Sequence, residues 1–130
     1  MRTVAKHLRF PVPAHVIWNI VGDVSRIDWV PVITSCTLEG NVRTMQMAGV
    51  GTVQERIQLR DPDVMRLEYG LINNPNVSVH RAILRVIPQG DECDLHWSTE
   101  IEPDALEPLI DNGMQSALDA LQGIVMNLAD

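Results

Sequence analysis

The sequence has 130 residues, of which 45% are hydrophobic and 21% are charged, a balance typical of one globular domain and not of a disordered chain. Its formal net charge of −7 argues against a nucleic acid or an anionic membrane as partner, because both attract basic surfaces. The N-terminus lacks the apolar run of a signal peptide, and no segment approaches the ~18 apolar residues of a membrane span. We therefore expect a single cytoplasmic domain over residues 1–130, with no nucleic-acid partner and no membrane insertion.

The first elements in chain order are a strand and two short helices. Residues 2–10 alternate between apolar and polar positions, which predicts a strand. An apolar stripe at helical spacing follows, and it predicts a helix that Pro13 is placed to begin and Gly22 to end. Ser25 is suited to cap a second short helix that runs to Trp29.

Six further strands follow the helices. Segments with strand patterns are separated at short intervals by clusters of turn residues, and connections this short imply antiparallel neighbours. We predict these strands at residues 34–40, 42–47, 51–60, 64–72, 77–88 and 92–101.

The last segment changes to a helical period. From Leu106 to Leu128, apolar residues recur every three or four positions and polar residues take the opposite face, while Pro103 and Asp104 suit the first turn. This pattern predicts one amphipathic helix of about 25 residues. An antiparallel sheet has to bury its apolar face, and this helix is the one element long enough to cover it, so we predict an α+β domain.

Short motifs spread along nearly the whole chain occur in a characteristic order. They are Pro11–Trp18, Val21–Pro31, Gly40–Arg43, Gly51–Glu55, Asp61 and Trp97–Ser98. Together they resemble the START-like (SRPBCC) superfamily, in particular its polyketide cyclase/dehydrase branch. The resemblance implies a helix-grip fold, in which a curved seven-stranded antiparallel sheet wraps around the long C-terminal helix and a cavity lies between them. It implies no single function, since members include aromatic cyclases and carriers of lipids and hormones.

Alternation assigns the faces of the predicted strands. Glu55 lies among apolar residues of strand 51–60, so it is predicted to point inward, and Tyr69 lies on the apolar face of strand 64–72. The residues predicted for the outer, polar face of strand 51–60 are Gln54, Arg56, Gln58 and Arg60.

Turn positions give an estimate of the strand register. They place Arg43 opposite Glu55, although a one-residue slip would bring Thr44 or Met45 there instead. They also place Glu55 opposite Tyr69 and Tyr69 opposite His80. The other predicted pairs are Leu67 with Ala82, Met65 with Leu84, and Leu84 with Trp97. The result is an inward polar row on adjacent strands, roughly 14 Å long at about 4.8 Å per strand, which consists of Arg43, Glu55, Tyr69 and His80.

The polar row has two interpretations. As a site for acid/base chemistry, His80 is the titrating group and Glu55 its partner, with Tyr69 as a third catalytic candidate. Alternatively, Arg43 and Glu55 form a structural ion pair and His80 is a core or rim histidine. Polar groups that converge on an apolar wall are typical of ligand sites. The full set of ligand-binding candidates is Trp29, Arg43, Met45, Glu55, Tyr69, His80, Met114 and Leu118.

The sequence predicts neither a metal site nor a cofactor site. His7, His15 and His96 are not expected to form a ligand cluster with each other, and Cys36 and Cys93 match no metal spacing, so we predict no metal site. The sequence has no nucleophile elbow and no phosphate-binding glycine loop, so we expect no cofactor.

Three functions stay open at this stage. The leading hypothesis is a protein that binds a small hydrophobic or aromatic molecule in an internal cavity. The second is a cyclase- or dehydratase-type enzyme that uses the polar row. The third is an interaction module whose cavity is filled by its own side chains. A homodimer is a possible assembly for any of them.

Overall fold

The computed structural model describes residues 1–128 and contains seven strands and two α-helices in the predicted order. The strands are β1 (Arg2–Phe10), β2 (Ile33–Glu39), β3 (Val42–Met47), β4 (Gly51–Asp61), β5 (Arg66–Ile72), β6 (Val79–Gln89) and β7 (Glu92–Glu102). The helices are α1 (Ala14–Val21) and α2 (Glu107–Leu128), with a 3-10 turn at Asp104–Leu106 directly before α2.

All seven strands form one antiparallel sheet in the order β1-β7-β6-β5-β4-β3-β2. From β2 to β7 each strand pairs with its neighbour in sequence, as the short turns predicted, and β1 closes the sheet against β7. The prediction of an α+β helix-grip architecture with a seven-stranded antiparallel sheet and a long C-terminal helix is therefore confirmed.

Helix α2 packs mainly on β1 and β7, and α1 packs on β6 and β7. The buried side chains of α2 recur at helical spacing on one side, which we call the inner stripe: Met114, Ala117, Leu118, Leu121 and Val125. They join the apolar residues of the sheet's inner face in one continuous core. Neither α1 nor α2, over the residues described, combines the length and hydropathy needed to cross a membrane.

The predicted second short helix is wrong, because turns connect α1 to β2. In this segment, which we call the 22–32 loop, the Asp23 carboxylate accepts hydrogen bonds from the backbone N–H and the hydroxyl of Ser25. The Arg26 N–H donates to the Asp23 carbonyl at 3.1 Å. Isolated bonds between residues three apart close single turns, whereas a helix needs a consecutive series of bonds.

The register of the sheet agrees with the prediction at both ends and differs from it in the middle. Arg43 lies opposite Glu55, and Leu84 lies opposite Trp97, as predicted. In the β4–β5 and β5–β6 hairpins each turn is centred about one residue later in the chain than predicted. Each residue of the first strand therefore pairs with a residue two positions further along the second strand. The pairs predicted wrongly are Glu55–Tyr69, Tyr69–His80, Leu67–Ala82 and Met65–Leu84; the observed ones are Glu55–Leu71, Tyr69–Ala82 and Leu67–Leu84. A shift of two residues by itself moves no side chain to the other face of the sheet.

A β-bulge between Ile57 and Leu59 changes the face of the residues that follow it in β4. An extra residue in one strand reverses the alternation beyond it. Arg60, predicted on the outer face, therefore lies on the inner face. Its Nε donates to the Gly22 carbonyl at 2.7 Å, and its guanidinium carbon lies 5.3 Å from the centroid of the Trp18 ring.

Gly70 marks a place where the backbones of β5 and β6 approach closely. A Cβ at this position would lie 2.4 Å from the His80 carbonyl oxygen. We expect Gly70→Ala to lower the free energy of unfolding by about 1–3 kcal/mol in urea denaturation, because one backbone has to move. Gly113→Ala is the matched control: its Cβ would meet nothing within 4 Å, and we expect a gain of about 0.5–1 kcal/mol in helix α2. Equal effects of the two changes would contradict this account.

Candidate functional site

Adjacent strands β3 and β4 place an ion pair on the inner face of the sheet. Arg43 Nε donates to Glu55 Oε1 at 2.8 Å, and Arg43 Nη2 lies 2.7 Å from the same oxygen. Only 13% of the Arg43 side chain and 11% of the Glu55 side chain are exposed. Two buried charges need further hydrogen bonds to offset their loss of hydration, and the Val24 carbonyl accepts one from Arg43 Nη1 at 3.1 Å. The pair therefore also ties the 22–32 loop to the sheet.

Tyr69 lies next to this pair and is buried. The Arg43 guanidinium carbon lies 4.7 Å from the centroid of the Tyr69 ring, a cation–π distance. The Tyr69 hydroxyl accepts a hydrogen bond from Trp97 Nε1 at 3.2 Å. Burial, reinforced by the charge of Glu55, raises the pKa of Tyr69 far above its ordinary value. The hydroxyl is therefore protonated at any physiological pH and keeps its own proton for donation.

His80 lies just beyond the last pair of the β5–β6 ladder, which is Tyr69 with Ala82. Its Nδ1 accepts a hydrogen bond from the Leu71 backbone N–H at 3.2 Å, and its ring centroid lies 6.3 Å from that of Tyr69. Burial lowers the pKa of His80, which favours the neutral ring. A neutral imidazole that accepts at Nδ1 carries its proton on Nε2. His80 thus presents a hydrogen-bond donor to its surroundings.

Burial of His80 predicts a dependence of stability on pH. Because the folded-state pKa is lowered, the stabilising contribution is complete above the unfolded-state pKa of about 6.5 and is lost as the pH falls below it. In His80→Asn the Oδ1 atom replaces Nδ1 as acceptor but does not titrate. We expect this variant to lose less free energy of unfolding than the unsubstituted protein between about pH 7.5 and about pH 5.5.

Urea denaturation at the two pH values measures the difference. His15→Asn is the control for the replacement of a histidine by asparagine, because His15 is exposed on α1. Equal losses in the unsubstituted protein and in His80→Asn would show that His80 is not held neutral by burial.

Aromatic side chains adjoin the polar row. The Trp29 and Trp97 rings lie 5.4 Å apart between centroids, at an interplanar angle of 56°. Trp29, Tyr69, Met114 and Leu118 all belong to the same cluster of buried side chains, together with Trp97. The remaining apolar candidate, Met45, is also buried, on β3 and outside that cluster.

Trp97 and Arg60 are two inner-face residues that were not among the sequence candidates. Trp97 was predicted only as the partner of Leu84, and its contacts with Trp29 and Tyr69 depend on the pairing of β7 with distant parts of the chain. Arg60 reaches the inner face through the bulge, for which a single sequence gives no clear signal.

One surface depression has a volume of about 380 Å³ and lies beside the 22–32 loop. Its lining residues are Trp18, Asn19, Asp23, Val24, Ser25, Leu38 and Arg60. The second, of about 280 Å³, lies on the outer face of the sheet near Ile83 and Arg85. Neither lies between Tyr69 and α2, where the cavity was predicted. Val24 connects the depression beside the 22–32 loop to the polar row. It lines the depression, and its carbonyl accepts a hydrogen bond from Arg43.

One cluster on the outer face was not expected from the sequence. His7 and His96, which were not predicted to form a ligand cluster, are directly opposite each other on β1 and β7, and their rings stack with centroids 4.3 Å apart. Asp94 adjoins both, and the three side chains could together hold a metal ion. Cys36 and Cys93 are free thiols.

Comparison with known proteins places this architecture in a family. The family described as "Polyketide cyclase / dehydrase and lipid transport" matches residues 1–128. No curated protein sequence matches significantly.

Several solved structures share the fold. The protein XoxI from Bacillus cereus superposes with a TM-score of 0.90 at 21% identity, covering 100% of this chain and 99% of that one. A START superfamily protein from Mycobacterium smegmatis gives 0.79 at 17% identity, covering 97% and 98%. Norcoclaurine synthase from Thalictrum flavum, in complex with dopamine and hydroxybenzaldehyde, gives 0.75 at 21% identity, covering 97% and 87%. The sequence match over residues 1–128 shows that the chain belongs to the polyketide cyclase/dehydrase and lipid transport family.

Proposed function

We propose that this chain binds a small, largely apolar molecule with an aromatic or acyl body on the inner face of the sheet, against the polar row. The observation that carries the proposal is the pair of unused donors in an apolar wall. The Tyr69 hydroxyl accepts from Trp97 but donates to no side chain or backbone group among the described residues, and His80 is bonded there through Nδ1 alone. Two donors on neighbouring strands, in rings whose centroids lie 6.3 Å apart, suit one acceptor oxygen, such as a carbonyl or phenol oxygen.

The remaining wall suits an apolar body. Trp29 and Trp97 offer aromatic faces, and Met45 and Met114 are adaptable apolar side chains. A small-molecule site usually has a mainly apolar lining with a few polar groups. The norcoclaurine synthase of the same fold binds dopamine and hydroxybenzaldehyde, which supports an aromatic ligand for this chain.

Access to the wall requires the 22–32 loop to move. Trp29 lies in this loop and is buried against Trp97, so the site is closed in the structure described. Two arginine side chains hold the loop, through Arg43 to the Val24 carbonyl and Arg60 to the Gly22 carbonyl. The depression beside Val24 gives an approach from the surface. We infer that a ligand enters there and displaces the loop, which exposes the donors of Tyr69 and His80.

The same geometry favours binding over base catalysis by His80. A general base needs a ring nitrogen free to accept a proton from the substrate. Nδ1 already accepts the Leu71 N–H, and Nε2 carries the proton of the neutral ring. Glu55 is likewise engaged with Arg43. A cyclase- or dehydratase-type reaction is the second candidate, because the family description includes such enzymes, and in it the Tyr69 hydroxyl is the group placed to donate to a substrate oxygen.

Ligand titration tests the proposal. We expect 1-naphthol or decanoic acid to change tryptophan fluorescence saturably and to raise the midpoint of thermal unfolding. Tyr69→Phe removes the hydroxyl donor, and His80→Asn replaces the Nε2 donor by an amide on a shorter side chain that does not reach the same position. Each change is expected to weaken binding up to about tenfold, the equivalent of one hydrogen bond. His15→Asn is the control and is expected to bind as the unsubstituted protein does.

Two results would count against the proposal. One is the absence of a saturable signal with either probe, together with no retained small molecule in native mass spectrometry of the purified protein. The other is undiminished affinity in the Tyr69→Phe/His80→Asn double variant. That result would show that the Tyr69 and His80 side chains do not bind the ligand.

A further inference from the structure

We propose that His7, Asp94 and His96 form a binding site for a divalent transition-metal ion on the outer face of the sheet. His7 in β1 lies directly opposite His96 in β7. Asp94 precedes His96 by two residues, so both side chains project from the same face of β7. The site is separate from the polar row, which lies on the opposite face of the sheet.

The distances suit one shared ion. One ligand atom from each of the three residues can be chosen so that all lie within 4.8 Å of one another. His7 Nε2 and Asp94 Oδ1 are 3.4 Å apart, close to the edge of about 3.3 Å that a tetrahedral site has when its metal–ligand bonds are about 2.0 Å long. The His7 and His96 rings are stacked at 4.3 Å with an interplanar angle of 18°. Because both histidines are exposed, small side-chain rotations can bring their nitrogens to the same distance.

The neighbouring Arg9 orients the Asp94 carboxylate, and its positive charge limits the affinity of the site for a cation. Arg9 Nε and Nη2 donate to Asp94 Oδ1 and Oδ2 at 2.8 and 3.1 Å. These bonds hold the pKa of Asp94 at about 2, so the group is ionised and fixed in orientation. A carboxylate has about four lone-pair positions, so Oδ1 can accept from Arg9 and still bind a cation. A hydrogen bond that orients a ligating carboxylate is a common feature of metal sites. The positive charge of Arg9 opposes the cation, and we therefore expect micromolar affinity.

The ligand set indicates which metals would bind. Two imidazoles and one carboxylate suit Zn²⁺, Ni²⁺ and Cu²⁺, with Cu²⁺ the tightest of the three. Mg²⁺ and Ca²⁺ prefer sites made of oxygen ligands. Three protein ligands leave at least one coordination position for water or another small ligand.

Calorimetric titration of the full chain with ZnCl₂ and with CuCl₂ tests the site. We expect one ion per chain, and we expect His7→Gln and His96→Gln each to weaken binding at least about tenfold. His15→Gln is the control that keeps full affinity, since His15 lies on α1 and does not adjoin the site. In the Cu²⁺ complex, electron paramagnetic resonance is expected to show coordination by nitrogen that His96→Gln reduces.

The substituted histidines are exposed, so both variants are expected to fold, and circular dichroism verifies this. Equal metal affinity in His7→Gln, His96→Gln and the unsubstituted protein would overturn the proposal. Absence of binding at millimolar metal would overturn it as well. Either result leaves the ligand site on the inner face untouched, because the two sites share no residue.

Discussion

Leu121→Asp is expected to abolish the cooperative unfolding transition of this protein. Leu121 is completely buried on the inner stripe of α2, in the core between the helix and the sheet. A carboxylate there loses its hydration and displaces apolar packing, which costs several kcal/mol. A domain of this kind has a total stability of about 5–15 kcal/mol. We therefore expect loss of the near-ultraviolet circular dichroism signal and a broad, non-cooperative thermal melt.

Leu109→Asp is the matched control on the same helix. Leu109 is 64% exposed, so the same chemical change is expected to alter the free energy of unfolding by no more than about 0.5 kcal/mol. A Leu121→Asp protein that still unfolds cooperatively would show that α2 does not pack on the sheet as described. Parallel loss in both variants would point to helix propensity and not to burial as the cause.

The second large effect is expected at the ion pair of the polar row. Arg43→Met leaves the buried Glu55 carboxylate without its cation and removes the hydrogen bond to the Val24 carbonyl. We expect a loss of about 3–5 kcal/mol in urea denaturation at neutral pH. Arg81→Met is the matched control, because Arg81 pairs with Glu68 on the outer face and is 47% exposed; there we expect about 0–1 kcal/mol.

The double variant Arg43→Met/Glu55→Leu separates the two interpretations of this pair. Replacing both buried charges by apolar side chains is often neutral for stability, so we expect the double variant to be more stable than Arg43→Met alone. If it also binds 1-naphthol as the unsubstituted protein does, the pair is structural. If stability recovers while affinity falls, the pair takes part in the site. A double variant no more stable than the single one would contradict the coupling of the two charges.

Much of the candidate site was predictable because strand alternation is local information. The period of two placed Glu55 and Tyr69 on the inner face, and a register error of two residues did not change this. Arg60 was assigned to the wrong face because a single extra residue in β4 reverses the alternation, and bulges have no clear single-sequence signature. The second short helix was wrong because Ser25 suits a turn as well as a helix cap.

The cluster of His7, Asp94 and His96 on the outer face could not be predicted for a different reason. His7 and His96 lie in the first and last strands, and only the pairing of β1 with β7 brings them together. Their separation in the sequence carries no information about this contact, because the closing strand of a sheet is chosen by the fold as a whole. The contact of Trp29 with Trp97 depends in the same way on how the 22–32 loop crosses the inner face.

The sequence by itself determined the α+β class, the seven strands, the long amphipathic helix and the inward face of the polar row. Each of these follows from periodicity and turn chemistry, which act between residues close in the chain. Only the tertiary structure decided which partners these side chains meet. It placed Leu71 N–H at His80, Trp97 at Tyr69, Arg60 at the 22–32 loop and His7 beside His96. These contacts depend on exact register and on strands distant in the chain, where a shift of two residues costs little in hydrophobic pattern but exchanges every polar partner.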